Sequence, residues 1–177
     1  PDPRLVLFPE EFHRSRSLRK TIRRRNFEIR FDTVFEDVIT GCAEAPRSYG
    51  EGTWITEEMK RAYTRLHELG YAHSIECWHE GTLAGGVYGL SLGSCFFGES
   101  MFTRVTDASK VALSVLAQLC EAWGFEFIDC QLTNEHLLTL GAREIPREDF
   151  LNRLHRNLEH RTRRGSWKRA AREAVQG

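Results

Sequence analysis

The chain has 177 residues, 41% of them hydrophobic, and its 25 Lys plus Arg are balanced by 25 Asp plus Glu. That length and apolar content suit one globular domain with a real core and exclude a disordered chain. No apolar run approaches the ~20 residues of a membrane helix and no secretory pattern is seen, so a cytoplasmic protein without membrane association is expected. The start at Pro1 reads as a fragment or a processed product. Cys42, Cys77, Cys95, Cys120 and Cys130 stand singly, which argues against a zinc ribbon or a disulfide framework and fits a reducing compartment.

Charge is unevenly spread. Residues 13–25 carry Arg14, Arg16, Arg19, Lys20, Arg23, Arg24 and Arg25 with no acid. Residues 153–172 carry eight basic residues and one acid, Glu159, whereas 31–152 hold eight basic against nineteen acidic residues. Two basic segments flanking an acidic body suggest a polyanion gripped at the edge. The first segment is read in that way and the second as a solvated charged face.

In chain order, residues 1–12 begin extended, and Phe27–Phe31 alternates as a half-buried strand. Thr33-Val34-Phe35-Glu36 predicts a capping box for a helix carrying Val38, Ile39 and Cys42. A loop spans 46–52. Thr56 caps a second helix, which stops at Gly70. Tyr71–Trp78 and Leu83–Leu92 read as a hairpin around Glu80-Gly81, followed by a third strand from Cys95 to Phe102. A long helix opens at Thr106 or Asp107 and ends at Gly124. Glu135–Leu140 is a short helix, and Pro146 starts the last one. The pattern is α+β (mixed α/β) around a mostly antiparallel meander. A domain over 1–160 and a basic, partly disordered tail over 161–177 are expected.

The stretch Phe125-Glu126-Phe127-Ile128-Asp129-Cys130-Gln131 reads as a strand. Strict alternation puts Asp129 and Gln131 on one face with Phe125 and Phe127. Either those polar groups sit among apolar neighbours and need partners, or the strand runs out into solvent.

Five segments carry a family resemblance: Gly52-Thr53-Trp54-Ile55-Thr56, Leu66-His67-Glu68-Leu69-Gly70-Tyr71-Ala72-His73-Ser74, Phe97-Gly98-Glu99-Ser100-Met101-Phe102, Ile128-Asp129-Cys130-Gln131, and Leu140-Gly141-Ala142-Arg143-Glu144-Ile145-Pro146. In order and spacing, from Pro1 to about Leu154, the chain resembles the leucyl/phenylalanyl-tRNA–protein transferase family. Members carry a smaller domain ahead of the Pro1-Asp2-Pro3-Arg4 segment, and this sequence starts without it. The resemblance implies an acyl-CoA N-acyltransferase-like fold, with a mostly antiparallel central sheet flanked by helices. It implies transfer of Leu or Phe, with Met a further candidate, from aminoacyl-tRNA to proteins with an N-terminal Arg or Lys, marking them for N-degron degradation. Gly85-Gly86-Val87-Tyr88-Gly89 lacks the basic pyrophosphate loop of acetyl-CoA-using relatives, which favours a donor other than a CoA thioester.

An aminoacyl ester is already activated, so no cofactor and no metal are expected, and a monomer is expected. By the resemblance, Asp129 orients Gln131 or meets the positive acceptor terminus, and Gln131 contacts the attacking amine. Glu99 stands beside the aminoacyl group, with a structural ion pair as the alternative. Val87, Met101, Leu113, Leu116, Cys120 and Ile128 are candidates for the donor side-chain slot, or are plain core. Trp54 can stack the terminal adenosine, or lid the core. The basic segment, Arg14, Arg16, Arg19, Lys20, Arg23, Arg24 and Arg25, is assigned to the tRNA acceptor stem. A non-catalytic tRNA- or RNA-binding module, or an N-acyltransferase with another donor, are the competing readings.

Overall fold

The computed structural model describes residues 1–24, 27–46 and 53–176. Arg25 and most of the 46–52 loop lie outside the described residues. The helices are α1 (Arg16–Arg24), α2 (Phe35–Glu44), α3 (Glu57–Glu68), α4 (Ala108–Ala122), α5 (Glu135–Thr139), α6 (Arg147–Leu158) and α7 (Ala170–Gln176). The strands are β1 (Arg4–Leu7), β2 (Glu28–Phe31), β3 (Ala72–His79), β4 (Thr82–Leu92), β5 (Cys95–Thr103), β6 (Phe127–Gln131) and β7 (Arg143–Ile145). All seven form one sheet in the order β2-β3-β4-β5-β6-β1-β7. Every pairing is antiparallel except β5 with β6. The mixed class and the mostly antiparallel sheet expected from sequence are therefore what the chain adopts.

Helix α4 packs across one face of the sheet. Val111, Leu113, Leu116 and Leu119 meet Ile75, Val87, Phe96 and Ile128 there in the main core. Helices α2 and α3 cover part of the other face through Phe35, Val38, Ile39, Tyr63 and Leu66. Phe127, Phe150 and Ile145 form a third cluster, behind β6 and β1. Thr56 caps α3 as expected, its hydroxyl accepting from Met59 N–H at 3.2 Å. The capping box at Thr33 does not form. Val34 is the N-cap residue of α2 and makes no side-chain cap, because the Thr33 hydroxyl donates instead to the buried Glu76 carboxylate.

The tail differs most from expectation. Trp167 is only 3% exposed. Its backbone N–H donates to Asp32 Oδ2 at 2.7 Å, and its ring stacks on His73 at 3.7 Å between centroids. The tail passes against Gly70, where a Cβ would lie 2.2 Å from the Gly165 nitrogen and where φ is +82°. Only glycine both ends α3 in that conformation and leaves room for the tail. A Trp side chain buries ~150–250 Å², on the order of 4–6 kcal/mol at ~25 cal/mol per Å² as an upper bound. One aromatic anchor holds the segment, so it shows no periodic stripe.

Candidate active site

Two irregularities in the sheet build the site. The parallel ladder of β5 and β6 pairs Cys95 with Phe127, Phe96 with Ile128 and Phe97 with Asp129, and no further. Beyond that point a cavity of about 690 Å³ opens, lined from both strands, from α4 and from the residues after β6. On β5, Tyr88 faces Ser100 while Gly89 faces Gly98, so Glu99 is the extra residue of a bulge. Gly89 permits this close approach, since a Cβ there would lie 2.0 Å from the Phe97 carbonyl oxygen. On β6, Leu5 faces Gln131 while Val6 faces Asp129, so Cys130 is extra, and Gln131 takes a φ of +68°. Bulges re-aim side chains. Here they bring Glu99 and Gln131 into one cavity.

The broken alternation corrects the sequence reading of β6. Asp129 stays on the Phe127 side and is fully buried, whereas Gln131 joins Ile128 and Cys130 at the cavity wall. The two remain linked through the backbone, because Gln131 N–H donates to Asp129 Oδ1 at 3.0 Å. The partner that burial demands is Arg4. Its Nε donates to Oδ1 at 2.9 Å and its Nη2 to Oδ2 at 2.5 Å. Such a bidentate pair holds the carboxylate in charge and in orientation. Asp129 is thus already neutralised from behind and reaches the cavity through Gln131, not by facing an acceptor terminus directly.

Gln131 Nε2 donates to Gly98 O at 3.4 Å, and the amide also bonds the Glu99 carboxylate. Those commitments of Nε2 leave Gln131 Oε1 as the acceptor presented to the cavity. Glu99 also accepts from the Tyr63 hydroxyl. Burial pushes the Glu99 carboxyl above its ordinary value, against the lowering effect of the Tyr63 and Gln131 hydrogen bonds. Burial, followed by the nearby Glu99 charge, pushes the Tyr63 phenol up, so Tyr63 remains a donor. Arg4–Asp129–Gln131–Glu99–Tyr63 is one connected polar chain across three strands and a helix.

The cavity gathers most of the sequence candidates. Trp54, Val87, Glu99, Met101, Leu113, Leu116, Ile128 and Gln131 all line it. Cys120 does not: it is fully buried in the core one turn beyond Leu116. Trp54 is 44% exposed, with a face open to the cavity mouth. Sequence reasoning missed Arg4 and Tyr63, and also Thr133, Asn134 and Leu137 in the wall. Tyr63 fell in the apolar stripe of α3 and Arg4 in an unremarkable extended start, and neither position signals its partner. A larger space of about 800 Å³ lies beneath the tail among Arg161, Arg163, Arg164 and Trp123. It holds no carboxylate or side-chain amide, and size alone does not make it the reactive site.

The basic segment forms α1, against α4. Arg14 reaches back to the Ser114 hydroxyl at 2.7 Å, and Arg19 donates to the Arg14 carbonyl. Arg16, Arg19, Lys20, Arg23 and Arg24 line one outward groove. Among the described residues, none of these five is in an ion pair.

The sequence model of the family described as leucyl/phenylalanyl-tRNA protein transferase matches residues 6–155. A leucyl/phenylalanyl-tRNA–protein transferase of Desulfatibacillum aliphaticivorans is 54% identical over 167 residues, covering 94% of this chain and 72% of that protein. One of Aromatoleum aromaticum is 62% identical over 150 residues, covering 85% of this chain and 63% of that protein. Among solved structures, a functionally unknown conserved protein of Staphylococcus epidermidis aligns with a TM-score of 0.52 at 12% identity. It covers 81% of this chain and 57% of that one, a likeness of fold alone.

Proposed function

The chain belongs to the leucyl/phenylalanyl-tRNA–protein transferase family, and on that premise we propose that it moves leucine or phenylalanine from aminoacyl-tRNA onto the N-terminal Arg or Lys of acceptor proteins, marking them for N-degron degradation. The observation that carries the reading is the apolar cavity at the sheet split, with Glu99 and Gln131 brought to its wall by two bulges.

In this reading the donor's aminoacyl group enters between Val87, Met101, Leu113, Leu116 and Ile128, a slot that suits unbranched-β apolar side chains such as Leu, Phe and Met. Trp54 stacks the terminal adenine, worth ~1–3 kcal/mol. The α1 groove holds acceptor-stem phosphates. The acceptor's neutral α-amine attacks the ester carbonyl carbon, a C–N bond forms, and the bond to the ribose oxygen breaks. Gln131 Oε1 accepts one amine hydrogen and aligns the lone pair. Glu99, with its raised pKa, takes the amine proton, and the proton passes on to the departing ribose hydroxyl. Arg4 and Asp129 fix Gln131 through its backbone N–H. Positioning supplies most of the acceleration, with general-base help of ~10²–10⁴-fold.

The test is transfer of labelled phenylalanine from Phe-tRNA to a peptide that starts with Arg. Labelled peptide is the expected product. Tight tRNA binding without transfer would instead favour the non-catalytic RNA-binding reading.

A further inference from the structure

Residues beyond the reacting centre bear on which acceptor is chosen. We propose that Glu144 is the carboxylate that reads the cationic side chain of the acceptor's N-terminal residue. The assignment rests on the acceptor class proposed above.

The sheet register places it. Leu5 faces Gln131 on one side and Glu144 on the other, so Gln131, Leu5 and Glu144 form one row across β6, β1 and β7. Leu5 and Ala142 lie in the main core beneath α4, and Glu144 shares that face, whereas Ile145 packs in the cluster behind. Glu144 therefore stands two strand spacings, roughly 10 Å, from Gln131 on the side where the cavity opens. An acceptor whose α-amine sits at Gln131 Oε1 covers that span with an extended Arg or Lys side chain meeting a glutamate.

The local contacts aim and free the charge. Thr133 lines the cavity, and its hydroxyl donates to Glu144 Oε1. Among the described residues Glu144 is in no ion pair, because the cations nearest in sequence and register are committed elsewhere. Arg4 is held by Asp129, and Arg143 by Glu11 at 2.9 Å. Asp129 is neutralised by Arg4, and Glu99 is bonded by Tyr63 and Gln131. Glu144 is exposed, so its charge is available to a ligand, and the side chain is not part of the core. The neighbouring carboxylate, Glu135 in the first turn of α5, makes no such bond to the cavity wall and serves as the control.

The experiment compares Phe transfer to two peptides that differ only at the first residue, arginine or its neutral isostere citrulline. The wild-type chain should prefer the arginine peptide. Glu144→Gln should lower kcat/KM for the arginine peptide about tenfold, mainly through KM, as expected for one partly solvated charge-assisted contact. It should leave the citrulline peptide unchanged. Glu144→Lys should invert the preference toward a peptide that starts with Glu, and Glu135→Gln should keep the wild-type ratio. If Glu144→Gln retains the wild-type arginine-to-citrulline ratio, or if Glu135→Gln collapses it, the assignment is overturned. If the wild-type chain transfers equally to both peptides, the acceptor reading itself fails and Glu144 falls with it.

Discussion

Glu76 and Glu99 lie on strands of the same sheet and put the same chemical group to opposite uses. Glu76, on β3, is fully buried and accepts from Thr33 N–H at 2.7 Å, Val34 N–H and the Ser74 hydroxyl at 2.9 Å each, the Trp78 indole at 3.3 Å, and the Thr33 hydroxyl. Beside it Asp32 gathers Ser74 N–H, Trp167 N–H and His73. Every direction around these carboxylates is closed by protein. Glu99 is bonded from one side by Tyr63 and Gln131 and lines a cavity on the other. Burial alone therefore does not mark a functional acid. A group that is enclosed and fully bonded ties loop to strand, whereas one left open to a cavity can take a ligand.

Removing each group should separate the two uses. Glu76→Ala strands five donors in the interior, so the largest stability loss is expected there, about 3–5 kcal/mol, a Tm fall of roughly 6–20 °C. Transfer per folded molecule at low temperature should stay near wild type. A Tm within two or three degrees of wild type would break the contrast.

Glu99→Gln should do the reverse, with transfer falling on the order of 10²-fold and little change in Tm near pH 5. The pH dependence sharpens this. The folded-state pKa is raised, so between the ordinary value of 4.5 and the raised one the folded chain holds a proton that the unfolded chain lacks. Stability contributed by this group thus falls as pH climbs through that window and is level above it. Tm of the wild type minus Tm of Glu99→Gln should decline over that range. Wild-type transfer should rise with pH through the same window, and the variant should lack that limb. A Tm difference that stays flat with pH would contradict the raised value.

The two basic segments give the smallest expected effects. In α1 the outward cations are not in ion pairs, but in the tail Arg163 stacks on Trp123, Arg164 bonds Leu69 O and stacks on Tyr71, and Arg169 pairs with Glu173. Replacing Arg19, Lys20 and Arg23 with Ala should weaken all tRNAs alike and reduce the log–log salt slope by about 2–3. A small aminoacyl-adenosine donor should be almost unaffected. Lys168→Ala with Arg169→Ala should change the slope by less than about 1. Equal slopes in the two variants would mean that the tail also meets phosphate.

Much of this was legible in the sequence because it rests on local rules. Thr56, Gly70 and the Glu80-Gly81 turn announced their elements, and the α4 stripe announced the core. The candidates that line the cavity followed from the ordered motifs. What escaped depended on distant partners. Arg4 meets Asp129 across 125 residues, and no local pattern encodes that pair. The alternation rule put Gln131 beside Asp129 because a bulge is invisible without the strand opposite. Thr33 satisfied every local condition of a cap and was taken by Glu76 instead. Trp167 anchors the tail singly, where periodicity has nothing to count.

The central claim is that Gln131, bulged into the cavity and fixed by the Arg4–Asp129 pair, aligns the attacking amine. Single-turnover transfer from saturating Phe-tRNA to an arginine peptide tests it most directly, measured on Gln131→Ala with its melting curve. The expected result is a rate at least ~10²-fold below wild type, with tRNA affinity unchanged and Tm within a few degrees. A near-normal single-turnover rate in a folded Gln131→Ala protein would contradict the claim.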